Sequence, residues 1–400
     1  MDTKSVQRMF YLDWLRVFAI LAIFGLHHST RFFDTDDWFI KNVNTYLSMQ
    51  VWLEFCTSWG MPLILIISGA SAFLALDRYR PGKYITGLFL RLFVPLIVGM
   101  FTHVAIHIYL WNLQTGRFSG SFFAFYPHYF EGMYGFGGNF AWMGSHLWYL
   151  ELLFILSLLF LPLFIWFKRT STGRRVLQRM GDLLVNRFAA LLLALPTIYL
   201  ILNLDETGPG NTSLGGWSVV IYPLFYIGGF VILSNERLQQ HIVRMRWIHL
   251  GMGLIFASAY LFVEFQTILP SLFPVADPLG KVLDCFVVWS WLLAVLGFGM
   301  KHLNFTNPLL KYANEAALPF YILHQTVVVA LGFFVVQWAI PDLLKYLIIL
   351  LVSFFAIMGL YEFAVRRFNL MRFLFGMKLR ARPVDLPSKE TQFKEVARTM

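Results

Sequence analysis

The chain has 400 residues, 58% of them hydrophobic and only 14% charged, with a formal net charge of +10. Apolar stretches of about 20 residues recur along it, which excludes a soluble globular domain and points to a multi-pass membrane protein. The basic excess falls in short segments between apolar runs, so it reports topology and not nucleic-acid binding, and the two cysteines, Cys56 and Cys285, exclude a disulfide framework or a zinc ribbon.

Lys4 and Arg8 precede the first apolar run, but that run ends in HHSTRFF and not in a small-residue cleavage site, so it reads as an uncleaved helix. Hydropathy and loop signals then place spans near 10–30, 47–76, 88–111, 146–167, 188–204, 218–234, 248–269, 282–300, 316–340 and 346–365. The fifth and sixth are short for a bilayer. The prediction is an all-α polytopic membrane protein with about ten transmembrane helices. Residues 1–375 form its integral domain and 376–400 a basic cytoplasmic tail.

Counting along these spans, all but five of the 32 Lys and Arg residues fall on the side of the N-terminus. The exceptions are Arg31, Lys41, Arg117, Lys281 and Lys345. By the positive-inside rule, both termini are expected in the cytoplasm.

The first helix carries Arg16 and His27 in an otherwise apolar run. In a straight α-helix they lie about 20° apart in azimuth and roughly 16 Å apart in depth. A charge inside a membrane costs a few kcal/mol on insertion scales, so a partner or a function usually offsets it. The stripe runs from near one face to about mid-bilayer. Asp13, three residues before Arg16, is placed to pair with it.

The longest outer loop, about 112–145, is rich in Gly, Phe and Tyr. It reads either as a cover over a cavity or as an aromatic loop lying on the membrane, and composition alone favours the second. His103 and His107 have the i, i+4 spacing of a helical metal pair, but no acidic partner or third ligand accompanies them, so no metal is expected. Glu54, Glu151, Asp284 and Glu362 lie in or near spans and are expected to pair with basic groups.

Six segments in chain order resemble one known pattern. Arg16 and His27 match an Arg, ten residues, then a His. MPLILIISG (61–69) resembles the end of a second helix, FLRLFVPLIVG (89–99) a basic-then-proline entry to a third, and SHLWYLELL (145–153) a start to a fourth. ALPFYILHQTVVV (317–329) resembles a ninth-helix Tyr-x-x-His motif, and LYEFAVRRFNLMRFLFGMK (360–378) a C-terminus. The pattern is that of the membrane acyltransferase-3 family, and the C-terminal segment is similar to the branch that succinylates osmoregulated periplasmic glucans.

The resemblance implies a multi-pass enzyme of the inner (cytoplasmic) membrane. It would move an acyl group from cytoplasmic acyl-CoA, succinyl-CoA or acetyl-CoA, to a hydroxyl of an extracytoplasmic glucan or other carbohydrate. Acyl-CoA is then a donor substrate, and no permanently bound cofactor is expected. Some branches carry a fused soluble hydrolase-like domain, for which this chain is expected to have no room.

Such a transfer needs a base for the hydroxyl proton and groups that position both reactants. His27 is the expected base, since a neutral imidazole with a pKa near 6.5 suits both the task and the site. The bland reading is a core histidine hydrogen-bonded to a neighbouring helix; the face shared with Arg16 and the family motif favour catalysis. Arg16 is expected to bind a carboxylate or a CoA phosphate, or else to form a structural ion pair, and Arg91 to extend the phosphate-binding surface. His146, Trp148, Tyr321 and His324 are expected near the acceptor, with Trp148 read more as an interfacial anchor than as a sugar-stacking ring and His324 nearly as readily as a satisfied interhelical partner. A proton-coupled transporter or flippase of a sugar-containing substrate is the alternative. It lacks support from repeated halves or paired broken helices.

Overall fold

The computed structural model describes residues 9–35, 38, 40–204, 217–268 and 277–380, the side chains of 26–28, 190, 204, 264–268 and 277 excepted. Among the described residues the protein is helical with no strand, and Met133 and Phe140 form an isolated β-bridge. The N-terminal part comprises α1 (Phe10–Ala22), α2 (Leu47–Arg78), α3 (Pro81–Leu88), α4 (Val94–Met100), α5 (Val104–Gln114) and the short α6 (Phe122–Phe125). Next come α7 (Trp148–Leu159), α8 (Leu161–Arg169), α9 (Ser171–Leu183), α10 (Ala189–Leu204) and α11 (Tyr222–Ser234). The last group is α12 (Glu236–Ile268), α13 (Asp277–His302), α14 (Pro308–Val335), α15 (Asp342–Leu360) and α16 (Asn369–Leu374).

Seven helices among the described residues are long and apolar enough to cross a membrane, and the pair Ser145–Leu159 and Leu161–Arg169, bent by 46°, makes an eighth if the two are counted as one span. The two stretches flagged as short are 13-residue apolar helices, Leu191–Asn203 and Tyr222–Ser234. They fall below the roughly 20 residues a bilayer needs, so ten full spans are not reached on length and composition. The break in the bent pair sits beside Pro162, the second residue of α8. Proline is tolerated in a first helical turn but cannot continue a preceding one. Elsewhere helices outrun their apolar cores: α12 and α14 begin at Glu236 and Pro308, because their polar opening turns stay helical. Asn307 caps α14 by accepting from the Leu310 N–H at 2.8 Å, with Pro308 at its first position.

Backbone contact joins α2 to α11 at their closest approach. A Cβ on Gly69 would fall 1.8 Å from the Tyr226 carbonyl oxygen, and one on Gly229 would fall 2.0 Å from that of Ile66. Small residues at such a crossing let helices approach closely where lipid removes the hydrophobic drive between them. Pro62 inside α2 deprives the Ser58 carbonyl of its helical donor, and the buried Trp217 indole N–H donates to it instead at 2.7 Å.

The face carrying the N-terminus is tied by the Lys168 ammonium, which reaches Asp77 at 2.6 Å and donates to the Phe73 carbonyl at 2.7 Å. On the opposite face Asp342 accepts from Asn42 at 3.0 Å, Asn44 at 2.9 Å and Tyr46 at 2.6 Å, closing the 31–46 segment onto α15. The Asp342 carboxylate pushes the Tyr46 phenol above its ordinary pKa.

The aromatic loop does not simply lie on the membrane. Tyr126 and Tyr129 donate to the Phe101 and Met100 carbonyls at 2.7 and 2.9 Å, and Phe125 and Tyr129 are fully buried in the main core. The α5 helix rises roughly 15 Å from Val104 to Gln114 at 1.5 Å per residue, and the loop doubles back along it. Phe123 and Phe136 point outward and are exposed.

Candidate active site

Arg16 faces α2 and α14 from the middle of α1. Its Nη1 donates to Asp13 Oδ1 at 3.0 Å and to Asn314 Oδ1 at 3.1 Å, while Nη2 donates to Ser71 Oγ at 3.1 Å. The pairing with Asp13 expected from the spacing is present. The Arg16 side chain is 30% accessible, so these bonds orient it without sealing it away. Arg91 is exposed and lies close enough to Arg16 for the two positive charges to interact. Two neighbouring guanidinium groups favour an anion between them, and this end of the polar group is the mouth of the site.

Both Arg91 and His27 sit on π-helical turns, Phe89–Phe93 and Ile23–His28. A third such turn, Tyr361–Val365, carries Glu362. Wide turns of this kind are rare and concentrate at functional positions. The one at Arg91 has a visible cause: its carbonyl would pair with the amide of residue 95, and Pro95 has none. The turn at Ile23–His28 also means that the straight-helix azimuth linking Arg16 to His27 does not carry through unchanged. The His27 backbone belongs to that turn; its side chain, like that of His28, lies outside the described residues.

Deeper in, a file of polar side chains continues from Arg16. Ser68, one turn before Ser71 on α2, shares a 2.7 Å hydrogen bond with the Tyr149 hydroxyl. The Tyr149 ring lies 5.8 Å from that of Tyr321, and Tyr321 donates its hydroxyl hydrogen to the His146 carbonyl. His146 then sits among imidazoles, with ring centroids 5.2 Å from both His107 and His324 and 6.1 Å from His103.

The hydrogen bonds fix the chemistry of these rings. His146 Nε2 donates to the Ile322 carbonyl at 2.9 Å, which makes Nδ1 its basic atom when neutral. His324 Nδ1 donates to the Tyr321 carbonyl of its own helix, which makes Nε2 the basic atom. His107 Nε2 shares a 2.7 Å bond with the Thr326 hydroxyl.

Of the residues singled out by sequence, His146, Tyr321 and His324 therefore meet in one buried group, with Arg16 and Arg91 at the mouth. Trp148 does not join the imidazoles; its ring packs 5.5 Å from Tyr222. His103 and His107, read from sequence only as a metal spacing, belong to the histidine group. Ser68, Ser71, Tyr149 and Asn314 were missed, since single polar residues in apolar helices carry no local signal. Among the acids, Glu362 pairs with Arg366 at 2.9 Å, whereas Glu54 accepts from the Gln50 amide at 2.8 Å.

Residues 9–362 match the model of the acyltransferase domain family, Acyl_transf_3. The chain belongs to this family. No curated protein and no solved structure matches it. Membership in Acyl_transf_3 makes the chain an acyltransferase, and its apolar helices make it a multi-pass membrane protein. It also favours group transfer over the transporter reading. The matched span contains every residue of the polar file from Asp13 to Thr326.

Proposed function

We propose that this Acyl_transf_3 protein moves a succinyl or acetyl group from cytoplasmic acyl-CoA to a hydroxyl of an extracytoplasmic glucan or related carbohydrate. The observation that carries the reading is the polar file itself. It leads from a doubly cationic mouth at Arg16 and Arg91 to a buried histidine group around His146. A polyanionic thioester suits the first end, and a proton-yielding hydroxyl suits the second. Likeness of residues 360–378 to the glucan-succinylating branch supports the glucan acceptor, and the distribution of Lys and Arg supports cytoplasmic termini and the inner membrane.

In this mechanism Arg16 and Arg91 hold the CoA phosphates or a donor carboxylate. His27 takes the proton of the sugar hydroxyl as its oxygen bonds to the acyl carbon. The carbon–sulfur bond breaks, and the departing thiolate recovers the proton from the imidazolium. His146, Tyr321 and His324 position the acceptor, with Trp148 at the rim. No serine or cysteine stands in a nucleophile motif, so transfer is direct.

The test is reconstitution of the purified protein in liposomes with radiolabelled succinyl-CoA and acetyl-CoA and a glucan acceptor. Label should appear on the sugar with at least one donor. In a parallel arm, a separately radiolabelled glucan crossing the bilayer while every thioester stays intact would overturn the reading in favour of transport.

A further inference from the structure

After the family match, residues 369–378 form a hook that touches the Arg91 turn. Arg372 on α16 is buried, and its guanidinium joins three separate parts of the chain. Nη2 donates to Glu315 of α14 at 2.9 Å, Nη1 to the Arg366 carbonyl at 3.3 Å, and Nε to the Lys378 carbonyl at 2.7 Å. A buried arginine with its fork filled in this way is a fixed point, since losing any partner leaves charge or carbonyls unpaired. The hook then closes on itself: the Met377 N–H donates to the Arg372 carbonyl at 2.8 Å, and Gly376 adopts φ +66°. Phe375 is buried in the main core.

That left-handed glycine is where the hook meets the Arg91 turn. A Cβ on Gly376 would stand 2.6 Å from the Arg91 carbonyl oxygen and 3.0 Å from both the Arg91 Cα and the Pro95 ring. The contact is backbone against backbone, at the carbonyl that Pro95 leaves without its α-helical donor. No flexible side chain intervenes to absorb a change.

We propose that the C-terminal hook, through Arg372 and Gly376, is a positioning element for acyl-CoA: it wedges the Phe89–Phe93 turn so that Arg91 presents its guanidinium at the mouth. This rests on the donor-site reading of Arg91. Gly376 and Arg372 touch no substrate and act through Arg91.

The experiment compares Gly376→Ala with Gly116→Ala, Arg91→Ala and the Gly376→Ala/Arg91→Ala double variant, all reconstituted with acyl-CoA and acceptor. Gly116 has φ +67° with nothing within 4 Å of a built Cβ, so it carries the same backbone strain without the contact. Gly376→Ala is expected to raise the donor KM on the order of tenfold with kcat and acceptor KM little changed. Gly116→Ala should leave all three unchanged, and the double variant should lose no more than Arg91→Ala alone.

A second readout does not depend on donor binding. The native cysteines Cys56 and Cys285 are both buried, so Arg91→Cys supplies the accessible thiol. Its maleimide labelling rate should shift severalfold when Gly376→Ala or Arg372→Gln is added. Equal labelling with and without those changes would overturn the hook, as would equal loss of kcat and both KM values, or additive losses in the double variant. Hook-dependent labelling together with an unchanged donor KM in Arg91→Ala would overturn the donor-site reading alone.

Discussion

Arg16 of α1 donates to Asn314 Oδ1 of α14 at 3.1 Å, so the helix that carries the signature arginine is pinned to the helix that carries Tyr321 and His324. A membrane arginine with three neutral or acidic acceptors is held in one orientation while part of its fork faces the mouth. Loss of one such bond to a charged group is worth about 1.5–3 kcal/mol. Asn314→Leu, which keeps the branched shape and removes the acceptor, is therefore expected to raise the donor KM by about tenfold. Steady-state kinetics with varied acyl-CoA checks this, and an unchanged donor KM would show that Asn314 does not orient Arg16.

Tyr321 holds the backbone of His146 through its hydroxyl, deep in the histidine group. Tyr321→Phe removes that buried hydrogen bond, a loss of about 0.5–1.5 kcal/mol. We expect kcat to fall by up to about tenfold with donor KM unaffected, because the change lies at the acceptor end of the file. A rise confined to the donor KM would place Tyr321 on the other side of the reaction.

The Trp217 indole replaces the helical donor that Pro62 denies to Ser58. Trp217→Phe should lower stability by about 1–3 kcal/mol. Adding Pro62→Ala restores an amide donor inside α2 and should recover part of that loss, read as a shift in the thermal unfolding midpoint in detergent. Purely additive destabilisation would show that the two features are independent.

Much of the architecture was legible in the sequence because a bilayer imposes length and hydropathy on each crossing. Helices such as Leu47–Arg78 and Asp342–Leu360 follow directly, and the two stretches at 188–204 and 218–234 read as short and are short. The family was legible too, from Arg16, His27 and five further motifs in order. Helix ends were not, since α12 continues through the polar stretch from Glu236 that hydropathy discards. Nor was the π turn at Ile23–His28, which alters the face arithmetic applied to His27. The convergence of His103, His107, His146 and His324 brings together three separate segments, the start of α5, the Ser145–Leu147 turn and α14. No sequence period encodes such a meeting.

On the proposed mechanism α1 carries the donor-binding cation, and the π turn that continues it, Ile23–His28, carries the base of the acyl transfer. The measurement that tests it most directly follows label from radioactive succinyl-CoA or acetyl-CoA to a glucan acceptor in liposomes, comparing wild type with His27→Ala and Arg16→Ala. A general base contributes about 10²–10⁴-fold. His27→Ala should therefore drop kcat by at least a hundredfold at saturating donor, while Arg16→Ala should chiefly raise the donor KM. Transfer at the wild-type rate by His27→Ala would contradict the account.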